Sequence, residues 1–92
     1  MSIYYVYILK CINRSSKKET LYTGSTNNLK KRIDQHQSGR GARYTRGKDL
    51  DLVYFETHLS RSSAMKREYE IKNLPVEKKW QLVKEFKQSL NQ

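Results

Sequence analysis

Five side chains spread along the chain are of types that could together hydrolyse a phosphodiester bond. They are Tyr7, Tyr22, Arg32, His36 and Glu68. A tyrosine or a histidine can accept a proton, an arginine can offset the charge on a phosphate, and a carboxylate can hold a divalent metal ion. Each residue type is common by itself, so the order of the five along the chain carries most of the weight.

Arg32 and His36 lie four residues apart in a predicted helix, and they are therefore neighbours on its surface. Leu29 and Ile33 mark the buried face of that helix, and the pair lies along one edge of this face. Partial burial would make Arg32 a fixed donor to a phosphate oxygen. A solvated helix edge with no chemical role is the alternative interpretation.

Glu68 lies on a later predicted helix, in the middle of an apolar arc when residues are placed at about 100° intervals. The arc consists of Met65, Tyr69, Ile71 and Leu74. A carboxylate among core-facing side chains is costly to desolvate unless another group pairs with it. We therefore expect Glu68 to be a metal ligand at the base of a cleft, with a buried salt bridge to an arginine as the alternative.

These residues need a fold that brings two early strands and two helices together. The β-branched, turn-forming and amphipathic segments predict the order β-β-α-β-α-α. The predicted fold class is α/β of the α+β type, with a three-stranded antiparallel sheet flanked by helices in a single domain over residues 1–92. The predicted strands span residues 3–12, which form the central strand, 21–25 and 52–57; the predicted helices run from a cap at Thr26 or Asn27 to about Gln37, from a cap at Ser60 or Ser62 to about Leu74, and from Pro75 onward.

The charge of the chain indicates the class of partner. Nineteen basic and nine acidic side chains give a net charge of +10, which favours a polyanion bound with release of counterions. No apolar run approaches the roughly 18 residues of a membrane-spanning helix, and no signal-peptide pattern opens the chain. Nucleic acid is therefore the predicted partner, rather than a membrane. The lone Cys11 is predicted to be a small buried side chain, and its unpaired thiol is typical of a cytoplasmic protein.

One segment, residues 39–49 with the sequence GRGARYTRGKD, combines glycine, basic and aromatic residues. We predict a flexible loop that contacts a phosphate backbone, because such loops offer cations and a stacking surface. A solvated connection between two elements is the alternative. The predicted nucleic-acid contacts are Arg40, Arg43, Tyr44, Thr45, Arg46 and Lys48.

The chain resembles the GIY-YIG endonuclease superfamily in four ordered features: Tyr5-Val6-Tyr7, Tyr22-Thr23-Gly24, Arg32 with His36, and Glu68 within AMKREYEIK. It resembles in particular the small single-domain members related to the N-terminal nuclease domain of the UvrC repair protein and to the Slx-type structure-specific nucleases. The resemblance covers about residues 3 to 74, and YTGSTNNLKKRIDQH and GARYTRG are its most specific segments.

The resemblance implies a role for each of the five side chains. Tyr7 and Tyr22 correspond to the paired motif tyrosines, one of which helps to deprotonate the attacking water. Arg32 corresponds to the arginine that neutralises charge on the phosphate, and His36 to a histidine that assists proton transfer. Glu68 corresponds to the carboxylate that holds one Mg²⁺ or Mn²⁺. We expect all five to line one concave pocket of a metal-dependent endonuclease acting on structured or damaged DNA.

The chain departs from the family pattern at several positions. Tyr5 and Val6 stand where the first motif has glycine and isoleucine, and the hairpin loop is longer. The asparagine that many relatives carry downstream of the glutamate has no counterpart, because Asn73 comes too early and Trp80 stands near the expected place. This last departure favours the alternative of a DNA- or RNA-binding module that cuts weakly or not at all. A small adaptor that docks a partner protein is the third hypothesis.

Overall fold

The computed structural model, which describes residues 2–91, is built around one central strand, β1 (Tyr4–Asn13). Residues 6–9 of this strand are all buried, although successive side chains of a strand point to opposite faces. Both faces of the sheet must therefore be covered. The run of β-branched and aromatic residues in β1 suits such a strand, because residues 6–9 do not face water on either side.

Two antiparallel strands flank β1 and complete the predicted three-stranded sheet. They are β2 (Glu19–Thr26) and β3 (Lys48–His58), and the strand order is β2-β1-β3. The β1–β2 register places Tyr7 opposite Gly24. The predicted element order and fold class are confirmed, but β3 begins at Lys48 rather than at residue 52.

Helix α1 (Leu29–Gln37) covers one face of the sheet. Its partly buried Leu29 and Ile33 pack on the cluster that contains Tyr7, Leu9 and Cys11, so Cys11 is the buried small side chain that was expected.

The predicted cap of α1 was one or two residues too early. The side chain of Asn28 accepts a hydrogen bond from the backbone N–H of Lys31 at 3.1 Å, which is the usual contact of a helix cap. Thr26 instead accepts from the N–H of Asn28 and so forms the turn that precedes the helix.

Helices α2 (Arg61–Lys72) and α3 (Val76–Leu90) cover the opposite face of the sheet. Ala64 and Ile71 of α2 join Val6 and Ile8 in the second core cluster. The side chain of Ser60 caps α2, as one of the two predicted alternatives required. The helix ends at Lys72, two residues before the predicted Leu74, because Asn73 closes it through bonds to the preceding carbonyls. None of the helices within residues 2–91 is long and apolar enough to cross a bilayer.

The segment predicted as one flexible loop contains a short 3-10 turn, Arg43–Thr45. The backbone N–H of Thr45 donates to the carbonyl of Ala42 at 3.1 Å, and the strand β3 begins three residues later. This segment follows directly after α1, so its residues fold back over the end of that helix. The turn is therefore part of the ordered fold, and it reaches the site through Thr45.

Candidate active site

Tyr7 and His36 meet in the interior between the sheet and α1. The Tyr7 hydroxyl lies 2.8 Å from Nε2 of His36, and both residues are only 1% exposed. The Tyr7 ring lies across Gly24 of the neighbouring strand, where an added Cβ atom would be 2.5 Å from the hydroxyl oxygen. The glycine of Tyr22-Thr23-Gly24 is therefore a space requirement for the placement of Tyr7.

The imidazole of His36 is held on several sides. Its Nδ1 atom lies 2.9 Å from Oγ1 of Thr45, and the rings of Tyr7 and Tyr22 approach it edge-on at centroid distances of 5.8 and 5.4 Å. Gly41 packs so closely against the ring that a Cβ atom there would overlap it. The position of His36 is thus set by the residues around it, and not by its helix alone.

Burial and a nearby cation set the protonation of this pair. Burial raises the pKa of Tyr7 to about 12, and the Arg32 guanidinium beside it offsets only part of that rise. Burial also lowers the pKa of His36 below its ordinary value of 6.5, and the positive charge of Arg32 lowers it further. At neutral pH, Tyr7 therefore holds its proton and His36 is uncharged, which leaves the imidazole able to accept a proton.

Arg32 connects this buried pair to the surface. Its guanidinium donates to Oε1 of Gln35 at 3.1 Å, and the residue is partly buried on α1. Arg32 also lines a surface cleft together with Ser25, Asn28, Lys31 and other residues around the start of α1. A guanidinium fixed in this way can donate to an anion that enters the cleft.

Glu68 reaches the same end of β2 from the opposite face of the sheet. Ser25, which follows Gly24, donates its hydroxyl to Oε1 of Glu68 at 2.5 Å. Lys72 pairs with the other carboxylate oxygen at 2.7 Å, and the Glu68 side chain remains 19% exposed. The negative charge of Glu68 contributes to the raised pKa of Tyr7, so the carboxylate lies within electrostatic range of the buried pair.

The sequence placed Glu68 on the core-facing side of α2, but only half of the predicted apolar arc is correct. Ile71 and Leu74 pack in the core, whereas Met65 and Tyr69 are 53% and 71% exposed. The buried residues of the helix are Ala64 and Ile71, which share a face with Glu68 at helical spacing. The alternative of a salt bridge to an arginine is also wrong, because the partner of Glu68 is Lys72.

The predicted single pocket is wrong in one respect. Tyr7 and His36 are enclosed, whereas Arg32 and Glu68 approach the end of β2 from the two faces of the sheet. The five residues therefore surround the end of an edge strand and do not line one open cavity. Their individual roles stay predictions.

The predicted nucleic-acid contacts divide into exposed and buried residues. Thr45 is 1% exposed and faces His36, so its prediction as a contact is wrong. Tyr44 stacks on Tyr22 with a centroid distance of 6.2 Å, and Nζ of Lys48 lies 3.6 Å from the centre of the Tyr44 ring. The remaining predicted contacts are exposed and remain available to a polyanion: Arg40, Arg43 and Arg46.

The residues present fit a metal ion held by one carboxylate. Within residues 2–91, no group of three or more His, Cys, Asp or Glu side chains is arranged to hold a metal. A Mg²⁺ or Mn²⁺ ion bound through Glu68 would therefore keep most of its waters, as Mg²⁺ usually does. Ser25 fixes the carboxylate by its hydrogen bond.

Sequence reasoning missed Ser25 and assigned Thr45 a different role, that of a nucleic-acid contact. Ser25 directly follows the Tyr22-Thr23-Gly24 motif. Strand alternation alone predicts that its side chain points to the sheet face opposite to that of Gly24. The contact of Thr45 with His36 has no comparable pattern, because it depends on how residues 39–47 fold back over α1.

Comparison with known proteins identifies relatives of this chain. The GIY-YIG catalytic domain family matches residues 3–81. A UPF0213 protein of Clostridium perfringens is 54% identical over 80 residues, which cover 86% of this chain and 81% of that protein. A UPF0213 protein of Natronomonas pharaonis is 48% identical over 81 residues, with coverage of 87% and 89%. The solution NMR structure of a UPF0213 protein from Bacillus halodurans is 43% identical, has a TM-score of 0.52, and is matched over 89% of this chain and 83% of that chain. This chain belongs to the GIY-YIG catalytic domain family.

Proposed function

We propose that this protein is a divalent-metal-dependent endonuclease that hydrolyses phosphodiester bonds in DNA, with structured or damaged DNA in the cytoplasm as its substrate. Membership of the GIY-YIG family itself implies a nuclease that acts on nucleic acid. The observation that carries the finer proposal is the buried Tyr7–His36 hydrogen bond of 2.8 Å, with Arg32 beside it and Glu68 at the same strand end.

The hydrogen bond supports a route for the proton of the attacking water. As the water oxygen bonds to phosphorus, its proton passes to the Tyr7 oxygen while the Tyr7 proton passes to Nε2 of His36. The bond from phosphorus to the leaving oxygen breaks, and that oxygen takes a proton from solvent. Tyr7 could not act alone, because a phenol with a pKa of about 12 is a poor source of phenolate at neutral pH.

Arg32 and Glu68 supply the charges that this step needs. Arg32 donates to a non-bridging oxygen of the phosphate and offsets the negative charge that grows in the transition state. Glu68, oriented by Ser25, would hold the Mg²⁺ or Mn²⁺ ion. When bound, the ion would polarise the phosphate and stabilise the leaving oxygen.

Two surface clefts support a path for the nucleic acid across the end of β2. One is lined by Lys31 and Arg32, and the other by Arg61 and Met65. Both clefts share residues 25–27, which form the end of β2 and the start of the turn to α1. A phosphate backbone that crosses this turn would pass from the Arg32 side to the Glu68 side, with cations on each side of the reacting group.

The test is a cleavage assay on plain, flapped and branched DNAs, with a matched RNA, in the presence and absence of Mg²⁺ or Mn²⁺. We expect cleavage of DNA only with metal. We expect Glu68→Gln to reduce cleavage by at least about 100-fold while nucleic-acid binding holds or tightens, because the variant loses the metal-binding charge but keeps its shape.

Glu70→Gln is the matched control, since Glu70 lies exposed on the same helix. It removes an identical charge and should cut like the wild-type protein. A Glu68→Gln variant that loses much of its thermal stability but keeps its cleavage rate per folded molecule would contradict the metal-ligand role.

A nucleic-acid-binding module that does not cut is the second candidate. Two observations favour it: Lys72 already pairs with Glu68 at 2.7 Å, and Tyr7 is enclosed. The same assay decides between the two candidates. Metal-independent binding without cleavage of any of the DNAs or of the RNA would establish the binding module.

A further inference from the structure

The series of buried hydrogen bonds that includes Tyr7 and His36 continues to a third residue. Oγ1 of Thr45 lies 2.9 Å from Nδ1 of His36 and also 2.9 Å from the carbonyl oxygen of Ala42. Thr45 is as completely buried as the two residues it follows. Three contacts in a row thus join the Tyr7 hydroxyl, both imidazole nitrogens, the Thr45 hydroxyl and a backbone carbonyl.

The Ala42 carbonyl at the end of this series sets the direction of every hydrogen bond in it. A carbonyl oxygen can only accept, so the single Thr45 hydroxyl proton points at Ala42, and a lone pair of Oγ1 faces His36. Nδ1 must then carry the proton and donate it to Thr45. A neutral imidazole protonated on Nδ1 is an acceptor at Nε2, where the Tyr7 hydroxyl donates.

The reverse arrangement is worse. If Nε2 carried the proton, Thr45 would have to donate to Nδ1. The Thr45 oxygen and the Ala42 carbonyl oxygen would then face each other at 2.9 Å with no proton between them. This arrangement has one hydrogen bond fewer, and two oxygen lone pairs that face each other at this distance repel.

The backbone around Thr45 holds the hydroxyl in place. Thr45 ends the 3-10 turn Arg43–Thr45, and its backbone N–H donates to the same Ala42 carbonyl at 3.1 Å. Gly41 lies against the imidazole on the preceding part of the segment. The turn and the ring are therefore fitted to each other by two independent close contacts.

We propose that Thr45 is a positioning residue that fixes His36 in the tautomer protonated on Nδ1, so that Nε2 can accept the Tyr7 proton. The catalytic consequence rests on the proposed nuclease function, whereas the tautomer does not. Thr45 touches neither the substrate nor the reacting atoms. It acts through His36, and it ties the basic segment 39–49 to the proton acceptor.

The experiment compares the wild-type protein with Thr45→Val and Thr45→Ser. Valine has nearly the shape of threonine but lacks the hydroxyl, whereas serine keeps the hydroxyl. Long-range ¹H–¹⁵N NMR spectra identify the protonated nitrogen of each histidine. His58, the other histidine of the chain, is an internal control, because its partners are Glu56 and Ser63 and it should not respond to either change.

We expect the wild-type spectrum to show His36 protonated on Nδ1. Thr45→Val should shift the proton toward Nε2, and Thr45→Ser should restore it to Nδ1. Cleavage of a 5′-flap DNA with Mn²⁺ should fall about 10- to 100-fold in Thr45→Val, as for the loss of other residues that orient an active imidazole, and should recover in Thr45→Ser.

Three results would overturn the proposal. A wild-type His36 protonated on Nε2 would do so without any variant, which matters if Thr45→Val fails to fold. A folded Thr45→Val protein with an unchanged His36 spectrum would also do so, as would equal impairment of the valine and serine variants. A wild-type protein that cuts no DNA or RNA would contradict the nuclease function instead, and the tautomer would still be decided by the spectra.

Discussion

Burial acts in opposite directions on the pKa values of Tyr7 and His36, and this suits the pair to the proposed proton route. It raises the pKa of the phenol to about 12 and lowers the pKa of the imidazole, because each group is held in its neutral form. The proton between them therefore rests on Tyr7. It can move to His36 only when the Tyr7 oxygen gains a proton from another donor, which ties the transfer to the attack of water.

The lowered pKa of His36 predicts a loss of stability on mild acidification. The unfolded chain binds a proton near the ordinary value of 6.5, whereas the folded chain resists protonation to a lower pH. The contribution of His36 to stability is therefore complete above that value and declines as the pH falls below it. We expect chemical unfolding at pH values from about 7 to 5 to show this decline, and His36→Gln to show a flatter one.

A second titratable group, Glu56, affects stability in a different pH window. Burial would raise the pKa of Glu56, but hydrogen bonds from Tyr54, His58 and Arg67 outweigh it and hold the pKa below its ordinary value of 4.5. Its contribution is therefore present above pH 4.5 and is lost as the pH falls below it. If His36→Gln were as sensitive as the wild-type protein between pH 7 and pH 5, the lowered pKa of His36 would not be the cause.

Individual residues differed in how far the sequence could predict them. Helical spacing makes Arg32 and His36 neighbours, whereas Tyr7 was selected through the resemblance to the family motif. The role of Thr45 could not be predicted, because a threonine in a basic loop is ordinarily exposed. Only the fold of the turn against α1 converts it into a buried partner of the imidazole.

At the scale of elements, an ion pair between β3 and α2 fixes the rotation of the helix that carries Glu68. Nε of Arg67 donates to both oxygens of Glu56 at 3.1 and 3.2 Å, and Nε2 of His58 lies 2.5 Å from the same carboxylate. Because Arg67 and Glu68 are adjacent on α2, this anchor also sets the direction of Glu68. The cluster therefore positions the carboxylate against Ser25.

The close contact between Gly41 and His36 of α1 leads to a second prediction, for Gly41→Ala. The added methyl group would overlap the imidazole of His36, so the ring must move away from Tyr7. A displacement near 1 Å at a reacting group can cost on the order of 100-fold in rate. We expect a cleavage loss of this size per folded molecule, together with a shifted His36 signal in the NMR spectrum.

Gly47→Ala is the matched control. Gly47 has a φ of +71°, but nothing lies within 4 Å of an added Cβ atom there. An alanine in this conformation costs about 1–2 kcal/mol of stability without touching the site. Equal loss of stability in the two variants, with cleavage retained in both, would show that the contact of Gly41 with His36 has no catalytic weight.

The order of the elements could be predicted from the sequence more fully than their ends. Runs of β-branched and aromatic residues identified the strands, and cap residues with amphipathic segments identified the helices. The first residues of β3 were missed because lysine and aspartate are depleted in strands. These residues are ordered by pairing with β1 and by the contact of Arg14 with Asp49 at 3.1 Å, which no local pattern reveals.

At the scale of the whole molecule, the central sheet separates two faces with different tasks. The face covered by α1 holds the buried Tyr7–His36 pair, and the basic 39–49 segment lies beside it. The face covered by α2 and α3 holds Glu68 and most of the aliphatic core. Under the proposed function, the cations near the buried pair would contribute more to the binding of a cleavable phosphate than the rest of the +10 net charge.

This separation predicts that position matters more than total charge. Replacing Arg40, Arg43 and Arg46 with alanine should weaken DNA binding, and each lost phosphate contact should lower the slope of log affinity against log salt by about one. As the control, alanine at three exposed α3 lysines, Lys78, Lys84 and Lys87, removes an equal charge from the other face. Binding measured by fluorescence anisotropy across a salt series should separate the two variants. Equal losses would mean that the general field of the chain binds DNA, and an affinity independent of salt would exclude a phosphate backbone as the main partner.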